Sequence, residues 1–278
     1  MKIDAIKLRN EFTQPHYLIS TSDGILLFLR AWTPPTPSKV AILIFHGITA
    51  YSGPYKMIGD VLSRMGYAVY GLDLRGHGLS DGNRGDYPSK ERFIKDIGET
   101  IQFLKEKHST LIILGHSLGV MTAIIASNFF LESISGLILL SGARTMREGV
   151  YAKISFRKKL KILFSSLIRP SKPIVSYHRD GMIGLDDPLF NFSYTLRFMS
   201  IFNIKKFKFP DKLDIPVLLG VGENDELFSV ESVRSFFDEI PSNNKKFIVL
   251  SGARHAEFGD NSFTELIKWL TSTFKQNQ

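Results

Sequence analysis

Short apolar runs alternate with amphipathic stretches along this chain. The runs are rich in Val, Ile, Leu and aromatic residues and predict strands at 16–20, 25–32, 40–45, 67–73, 111–115, 137–141, 216–221 and 246–250. Apolar positions at helical spacing predict helices at 55–65, 90–107, 120–131, 230–239 and 262–274. Ser229 and Ser262 are placed to serve as the N-caps of the last two helices.

This alternation predicts an α/β fold with a mostly parallel eight-stranded sheet and helices on both faces. The predicted strands are apolar at nearly every position, which is typical of strands that are covered on both sides. The first two strands lie close together between polar residues, as in a hairpin, so we expect the sheet to begin antiparallel.

Residues 144–210, which we call the inserted segment, interrupt the alternation and are too long for an ordinary loop. Part of the segment is amphipathic. One helical face would carry Leu160, Leu163, Phe164, Leu167 and Ile168, and another would carry Lys153, Arg157 and Lys161. We predict a core formed by residues 1–143 and 211–278, with residues 144–210 as a cap or lid over the carboxyl edge of the sheet.

The net charge of +8 at pH 7 comes from the inserted segment. The segment holds 14 Lys and Arg against 4 Asp and Glu, whereas the rest of the chain holds 21 against 23. It also holds 11 of the 33 aromatic residues. This composition favours a lid that contacts a lipid surface, with apolar side chains among acyl chains and cations at anionic head groups. The alternative is a solvated charged face over a small core. Nucleic acid is not predicted as a partner, because no binding motif accompanies the charge.

Several classes of site and location are excluded or disfavoured by composition. The chain has no cysteine, which excludes disulfides, cysteine nucleophiles and thiolate metal sites. No phosphate-binding or metal-binding motif occurs, so we predict no cofactor and no metal. Residues 1–11 alternate charged and apolar side chains without a signal-like apolar run, and the strand-length apolar runs are too short to cross a bilayer. We therefore expect a cytoplasmic protein that its basic cap could bring to a membrane surface.

The candidate nucleophile is Ser117, at the centre of residues 115–119, which are Gly-His-Ser-Leu-Gly. This G-x-S-x-G pattern directly follows a predicted strand, as in a nucleophile elbow, where a sharp turn exposes the serine hydroxyl. A serine hydroxyl is a weak nucleophile, so it needs a base to take its proton and a third group to orient that base.

Asp225 and His255 are the candidates for those two roles. Each follows a predicted strand and its turn, and together with Ser117 they keep the chain order Ser, acid, His of α/β-hydrolases. Among the histidines, His255 alone is both late in the chain and directly beyond a predicted core strand. Glu223 and Glu226 flank Asp225, and spacing alone leaves them open as alternatives. A turn residue at Asp225 and a surface position for His255 are the simpler structural interpretations.

Backbone amides are the candidates for stabilising the oxyanion of a tetrahedral intermediate. The residue after the nucleophile, Leu118, would provide one N–H at the start of its helix. The second would come from the loop after the third strand, where we predict the N–H of Ile48.

Four stretches resemble a known family. They are His46-Gly47, the glycine-rich residues 73–85 with their Arg-Gly-His-Gly sequence, residues 115–119, and His255-Ala256-Glu257. On these residues the chain resembles the monoacylglycerol lipase and lysophospholipase-like serine hydrolases of the α/β-hydrolase superfamily, related to the serine aminopeptidase S33 type. The resemblance implies an α/β-hydrolase fold, a cap between the sixth and seventh strands and an acyl tunnel beneath that cap.

Two details qualify the resemblance. Lipase members often have a histidine and an arginine where this chain has Tyr51 and Pro54, so specific recognition of glycerol is not implied. Residues 73–85 could also suggest a dinucleotide site, but Gly82 comes one residue too late after Gly76 and Gly78 for the G-x-G-x-x-G pattern. We interpret this stretch as a structural turn.

The predicted function is a serine carboxylic-ester hydrolase that cleaves lipid-like monoesters of the monoacylglycerol or lysophospholipid type through an acyl-enzyme on Ser117. The predicted partner is a small amphiphilic ester, with transient contact to a membrane or micelle through the cap. The alternatives are a peptidase or amidase that uses the same three side chains, and a ligand-binding member of the fold without catalysis.

Overall fold

The computed structural model describes residues 5–150, 155–178, 181–203, 207–259 and 261–274. The strands are β1 (His16–Ser20), β2 (Leu26–Trp32), β3 (Val40–Phe45), β4 (Ala68–Leu72), β5 (Thr110–His116), β6 (Gly136–Leu140), β7 (Val175–Ser176), β8 (Ser193–Tyr194), β9 (Val217–Gly222) and β10 (Lys245–Leu250). The helices are α1 (Ala5–Asn10), α2 (Lys56–Arg64), α3 (Lys90–Lys105), α4 (Leu118–Phe130), α5 (Phe156–Ile168), α6 (Leu196–Ile201), α7 (Val230–Asp238) and α8 (Thr264–Thr273).

Eight strands form one sheet in the order β1-β2-β4-β3-β5-β6-β9-β10. Strand β2 pairs antiparallel with both β1 and β4, and the remaining pairs are parallel. The predicted α/β class, the mostly parallel eight-stranded sheet and its antiparallel start are therefore confirmed. The carboxyl ends of β3, β5, β9 and β10 all reach the same edge of the sheet, which places the turns that follow them side by side.

Helices cover both faces of the sheet, as the apolar pattern predicts. On β3, Ala41, Leu43 and Phe45 point into the core beneath α3, α4 and α7, whereas Val40, Ile42 and Ile44 point into the core beneath α2 and α8. Ser229 caps α7 as predicted, since its side chain accepts a hydrogen bond from the Ser232 amide. The prediction for Ser262 is wrong: Phe263 occupies the N-cap of α8, and the Ser262 hydroxyl instead bonds to the backbone of Ser251 and Gly259.

Between β6 and β9 the described chain lies outside the eight-stranded sheet. It forms α5, the two-stranded pair β7–β8, and α6. Residues 151–154, with Lys153 of the predicted amphipathic stretch, lie outside the described residues. The apolar side chains of α5 are largely exposed, whereas α6 buries Phe198 and Ile201. Among the described helices, none combines the length and the apolar character that a bilayer span requires.

Candidate active site

Ser117 lies in a strained turn between β5 and α4. Its backbone has φ 56° and ψ −118°, in the positive-φ region that non-glycine residues rarely occupy. The flanking glycines are required by close packing: a Cβ on Gly115 would lie 2.2 Å from the Gly119 carbonyl oxygen, and a Cβ on Gly119 would lie 2.0 Å from that of Phe45. Residues 115–119 therefore hold the serine side chain at the carboxyl edge of the sheet.

The structure brings the predicted Ser117, His255 and Asp225 together from the ends of three strands. His255 Nε2 lies 3.0 Å from Ser117 Oγ, and His255 Nδ1 lies 3.1 Å from Asp225 Oδ2. Asp225 and His255 are buried, and Ser117 is half-buried. With the Nδ1 proton donated to the carboxylate, Nε2 is an acceptor for the serine hydroxyl, which is the geometry that a general base requires.

The environment of Asp225 favours its charged form. Burial alone would raise the pKa of its carboxyl group. The hydrogen bond and charge of His255, together with the amides of Leu227 and Phe228, outweigh burial and leave the pKa below its ordinary value. The two amides donate to Asp225 Oδ1 at 2.8 and 2.9 Å, while Oδ2 faces the imidazole. Asp225 is thus an anion with every oxygen engaged.

The two neighbouring carboxylates lie in other positions. Glu226 Oε2 accepts a hydrogen bond from the backbone N–H of His255 at 3.1 Å, and Glu223 Oε2 accepts one from the backbone N–H of Gly252 at 2.8 Å. Both therefore bond to the backbone of the loop after β10, and Asp225 is the carboxylate that contacts the imidazole.

Ile48 and Leu118, whose amides are the predicted oxyanion donors, line one cavity together with Ser117. Leu118 is the first residue of α4, so its N–H has no partner within the helix. Within the described part of the chain, neither amide donates to a protein acceptor. The peptide that carries the Ile48 N–H is held by His46, because His46 Nδ1 donates to the Gly47 carbonyl at 2.7 Å while its Nε2 accepts from the Leu74 amide at 3.2 Å.

Two cavities meet at Ser117. The larger has a volume of about 120 Å³; Met182, Ile183 and Phe190 of the inserted segment form an apolar wall, and Glu226 and Glu257 lie on a polar side. The smaller, of about 70 Å³, is more uniformly apolar and is lined by side chains that include Met121, Met146, Phe207, Phe228 and Phe236. A molecule with its reacting carbon at Ser117 could extend in two directions, of which one is apolar and the other also passes the charged side chains of Glu226, Arg254 and Glu257.

Tyr51, at the position where the resemblance would place a histidine, connects the core to the inserted segment. Its hydroxyl donates to Asp187 Oδ2 at 2.8 Å, and its ring packs edge-on against Phe190 at 5.7 Å between centroids. Pro54 lies in the first turn of a short 3-10 helix, Gly53–Tyr55, and lines the larger cavity.

Residues 73–85 form a buried turn rather than an open loop. The carboxylate of Asp73 accepts hydrogen bonds from the Ser52 amide at 2.6 Å and the Leu79 amide at 2.8 Å. Gly78 has φ 47°, and a Cβ there would lie 2.1 Å from Asp73 Oδ2. Arg75 pairs with Asp23 and Asp96 away from Ser117.

Two buried side chains beneath the site have no role in the sequence-based prediction. They are Tyr55 and His116, which contact each other through the Tyr55 hydroxyl at 2.8 Å. Little in the sequence marks these two residues as functional. Tyrosines on apolar helical faces are common in protein cores, and so are residues at the variable positions of a G-x-S-x-G pattern.

Comparison with known proteins agrees with this geometry. Residues 36–262 match the family described as serine aminopeptidase, S33. Rat monoglyceride lipase is 25% identical over 259 residues, which cover 87% of this chain and 82% of the rat protein. Monoacylglycerol lipase of Mycolicibacterium smegmatis is 23% identical over 94% of this chain and 98% of its own.

Among solved structures, the monoacylglycerol lipase of Paleococcus ferrophilus superposes with a TM-score of 0.70 at 26% identity, covering 89% of this chain and 99% of that protein. A family match over residues 36–262, which are most of the chain, establishes membership. The protein is a hydrolase with the α/β-hydrolase fold and belongs to the serine aminopeptidase S33 family.

Proposed function

We propose that this protein is a serine carboxylic-ester hydrolase that cleaves lipid-like monoesters of the monoacylglycerol or lysophospholipid type. The observation that carries the proposal is the Ser117 hydroxyl, 3.0 Å from an imidazole and lying where two largely apolar cavities meet. The similarity to proteins named monoglyceride lipases supports the choice of ester over amide.

The proposed reaction proceeds in two halves. In the first, Ser117 Oγ bonds to the ester carbonyl carbon while His255 Nε2 takes the hydroxyl proton, and the carbonyl oxygen becomes an oxyanion that accepts hydrogen bonds from the Ile48 and Leu118 amides. The bond from the carbonyl carbon to the alcohol oxygen then breaks, and His255 gives its proton to the departing alcohol. Asp225 stays ionised throughout and stabilises the imidazolium.

In the second half, water replaces the alcohol. His255 takes a proton from the water as its oxygen bonds to the acyl carbon, and the same two amides hold the second oxyanion. The bond to Ser117 Oγ breaks, the serine recovers a proton from His255, and the free carboxylic acid leaves. The reaction consumes no oxidant and no reductant.

The same proposal gives the inserted segment, residues 144–210, the role of a cap that meets an amphiphilic substrate at its surface. On α5, Leu163, Phe164, Leu167 and Ile168 are exposed, with Leu167 at 74%. Arg157, Lys159 and Lys161 lie on the same helix. Apolar side chains and cations exposed together on one helix suit an interface of acyl chains and anionic head groups. Peripheral membrane contact is part of this proposal.

Labelling with a fluorophosphonate probe tests the nucleophile. We expect the wild type to be labelled and Ser117→Ala not to be, with hydrolysis falling by at least about 10⁴-fold. Ser127→Ala is the matched control, because Ser127 is a buried serine on the same helix α4 whose hydroxyl donates to the Ile124 carbonyl. Equal labelling of Ser117→Ala and wild type would contradict the proposed nucleophile.

A substrate panel tests the reaction. It contains p-nitrophenyl esters, monoacylglycerol, lysophospholipid and an aminoacyl-naphthylamide. We expect the highest kcat/KM with monoacylglycerol or lysophospholipid. A higher value with the naphthylamide would show a peptidase, and turnover of none of the esters would show a ligand-binding protein; either result overturns the proposal.

A further inference from the structure

The side chains of Tyr55 and His116 link the backbone of the loop after β3 to that of the loop after β10. The Gly47 N–H lies 2.9 Å from the Tyr55 hydroxyl oxygen, and this oxygen lies 2.8 Å from His116 Nδ1. On the other side of the ring, His116 Nε2 lies 2.7 Å from the carbonyl oxygen of His255. Tyr55 and His116 are both buried.

The two backbone groups at the ends of this hydrogen-bond chain determine the direction of every hydrogen bond within it. A backbone N–H at Gly47 can only donate, so the Tyr55 oxygen accepts there and donates its own proton onward to His116 Nδ1. A carbonyl oxygen at His255 can only accept, so His116 Nε2 carries the proton. Burial lowers the pKa of His116 to about 3, and a neutral ring with one donor and one acceptor nitrogen is what this order requires.

The two ends of this hydrogen-bond chain contact the backbone beside two groups that the proposed reaction requires at Ser117. These groups are the Ile48 N–H and the His255 imidazole. At one end, the Tyr55 hydroxyl holds the N–H of Gly47 while His46 holds the Gly47 carbonyl, so the two peptide groups that flank the Gly47 Cα, including the one that carries the Ile48 N–H, are each held by one hydrogen bond. At the other end, the clamped carbonyl belongs to His255 itself. His116 is covalently next to Ser117.

We propose that Tyr55 and His116 are positioning residues, which keep the Ile48 amide and the His255 imidazole in register with Ser117 through the hydrogen-bond chain Gly47–Tyr55–His116–His255. This inference rests on the proposed ester hydrolysis. Both side chains also line the larger cavity, but in this role they act through the backbone of residues that hold the reacting atoms. A peptide amide that turns by even a small angle no longer points at an oxyanion, and loss of one such donor costs about 10²–10³ in rate.

The decisive variant is Tyr55→Phe, which keeps the ring and removes the hydroxyl. We expect kcat on a dissolved p-nitrophenyl ester to fall at least tenfold while KM changes less than about twofold, because the chain acts on the transition state rather than on substrate binding. His116→Gln retains an amide donor that can reach the His255 carbonyl, so it should keep more of kcat than His116→Leu.

The matched control is Tyr70→Phe. Tyr70 donates its hydroxyl to a buried histidine, His108 Nε2, at 2.8 Å, and His108 Nδ1 in turn bonds to the Ser38 carbonyl at 2.8 Å, remote from Ser117. This pair repeats the chemistry of Tyr55 and His116 without touching the site. We expect both Tyr→Phe variants to lower Tm by a similar amount, with the loss of kcat confined to Tyr55→Phe. An unchanged kcat in Tyr55→Phe, or an equal loss in Tyr70→Phe, overturns the inference.

Two further readouts separate this inference from the proposed function. Absence of turnover in the wild type contradicts the proposed function, whereas wild-type turnover that Tyr55→Phe leaves intact contradicts only the positioning role. The bond order itself is measured without substrate: ¹⁵N NMR of the His116 ring should show a protonated Nε2 and a bare Nδ1 from pH 6 to 8, and the Gly47 amide should lose its exchange protection in Tyr55→Phe. Either of two results overturns the inference: a His116 ring protonated at Nδ1, or a Gly47 amide that remains protected from exchange in Tyr55→Phe.

Discussion

The core and the inserted segment use their apolar side chains in opposite ways. Every residue of β3 is buried, and alternate side chains fill the two layers on either side of the sheet. On α5, Phe164 is 68% exposed and Leu167 is 74% exposed. Burial of the core side chains stabilises the fold, at about 25 cal/mol per Å² of apolar surface. The exposed surface of α5 contributes little to folding and remains available for another molecule.

Polar contacts join the two regions at several points, and some of them lie next to the site. Arg197 of α6 pairs with the buried carboxylate of Asp86, and the Tyr51 hydroxyl bonds to Asp187. The Asn191 amide donates to the Thr49 carbonyl at 2.9 Å, one residue beyond Ile48. The comparison teaches that Ser117, Asp225 and His255 are placed by strands of the sheet, whereas one wall of the larger cavity comes from the inserted segment, whose helix α5 is largely exposed.

The largest effect is expected in the core, at Asp225. Asp225→Asn keeps the shape of the side chain but favours the wrong tautomer of His255, so we expect kcat to fall by about 10³–10⁴. Asp214→Asn is the control, since Asp214 is an exposed carboxylate paired with Lys212 ahead of β9. Steady-state kinetics on a dissolved ester measure both. A variant with near wild-type kcat would show that Asp225 does not orient the imidazole.

Acid should destabilise the core through its buried neutral histidines. Burial lowers the pKa of His46 to about 4 and that of His116 to about 3, whereas both return to about 6.5 on unfolding. The unfolded chain therefore binds more protons below pH 6.5, and each histidine should cost about 2 kcal/mol of stability between pH 6.5 and 5. Asp73, whose pKa is raised by burial, acts in the opposite direction.

Urea unfolding at pH 7.5, 6.5 and 5 measures this effect. A free energy of unfolding that is the same at the three values would contradict it. Phe129→Ser should leave the difference between pH 7.5 and pH 5 unchanged, because it alters an exposed side chain that does not titrate.

The exposed side chains of α5 should matter at a lipid interface and not for a dissolved substrate. We expect the double substitution Phe164→Ser with Leu167→Ser to lower turnover of monoacylglycerol in anionic vesicles about tenfold, because it removes apolar side chains that would enter the lipid. The rate on dissolved p-nitrophenyl butyrate should stay unchanged. Phe129→Ser is the matched control, since Phe129 is an exposed aromatic residue on α4 of the core. An equal loss of turnover on both substrates would show that these side chains support the fold and do not act through contact with lipid.

The smallest effect is expected at the ion pair between the two regions. Arg197→Met should lower the free energy of unfolding by about 1 kcal/mol, because among the described side chains it leaves the buried carboxylate of Asp86 with the Thr195 hydroxyl as its partner. Lys212→Met removes an exposed pair instead and should change stability by less than about 0.5 kcal/mol. Thermal unfolding compares the two, and a larger effect of Lys212→Met would contradict the assignment.

Local sequence patterns predicted most strands of the sheet and the positions of the candidate site residues directly after strand ends. The apolar runs are visible in the sequence because strands covered on both faces must be apolar at nearly every position. Ser117, Asp225 and His255 are visible for a related reason: parallel strands end at one edge, so polar residues directly beyond them converge there. The N-cap at Ser262 is a local prediction that failed, because the hydroxyl found partners in the loop after β10 that the sequence does not place beside it.

The order of residues along this chain was sufficient for its fold class and for its candidate nucleophile and candidate base, since these depend on periodicity and on motifs a few residues long. The choice of Asp225 over Glu223 and Glu226, the contact between Tyr51 and Asp187, and the hydrogen-bond chain through Tyr55 and His116 depended on distances between segments far apart in sequence. A hydrogen bond acts over about 3 Å and in one direction. Whether two groups meet that condition follows from the packing of the whole sheet and not from their neighbours along the chain.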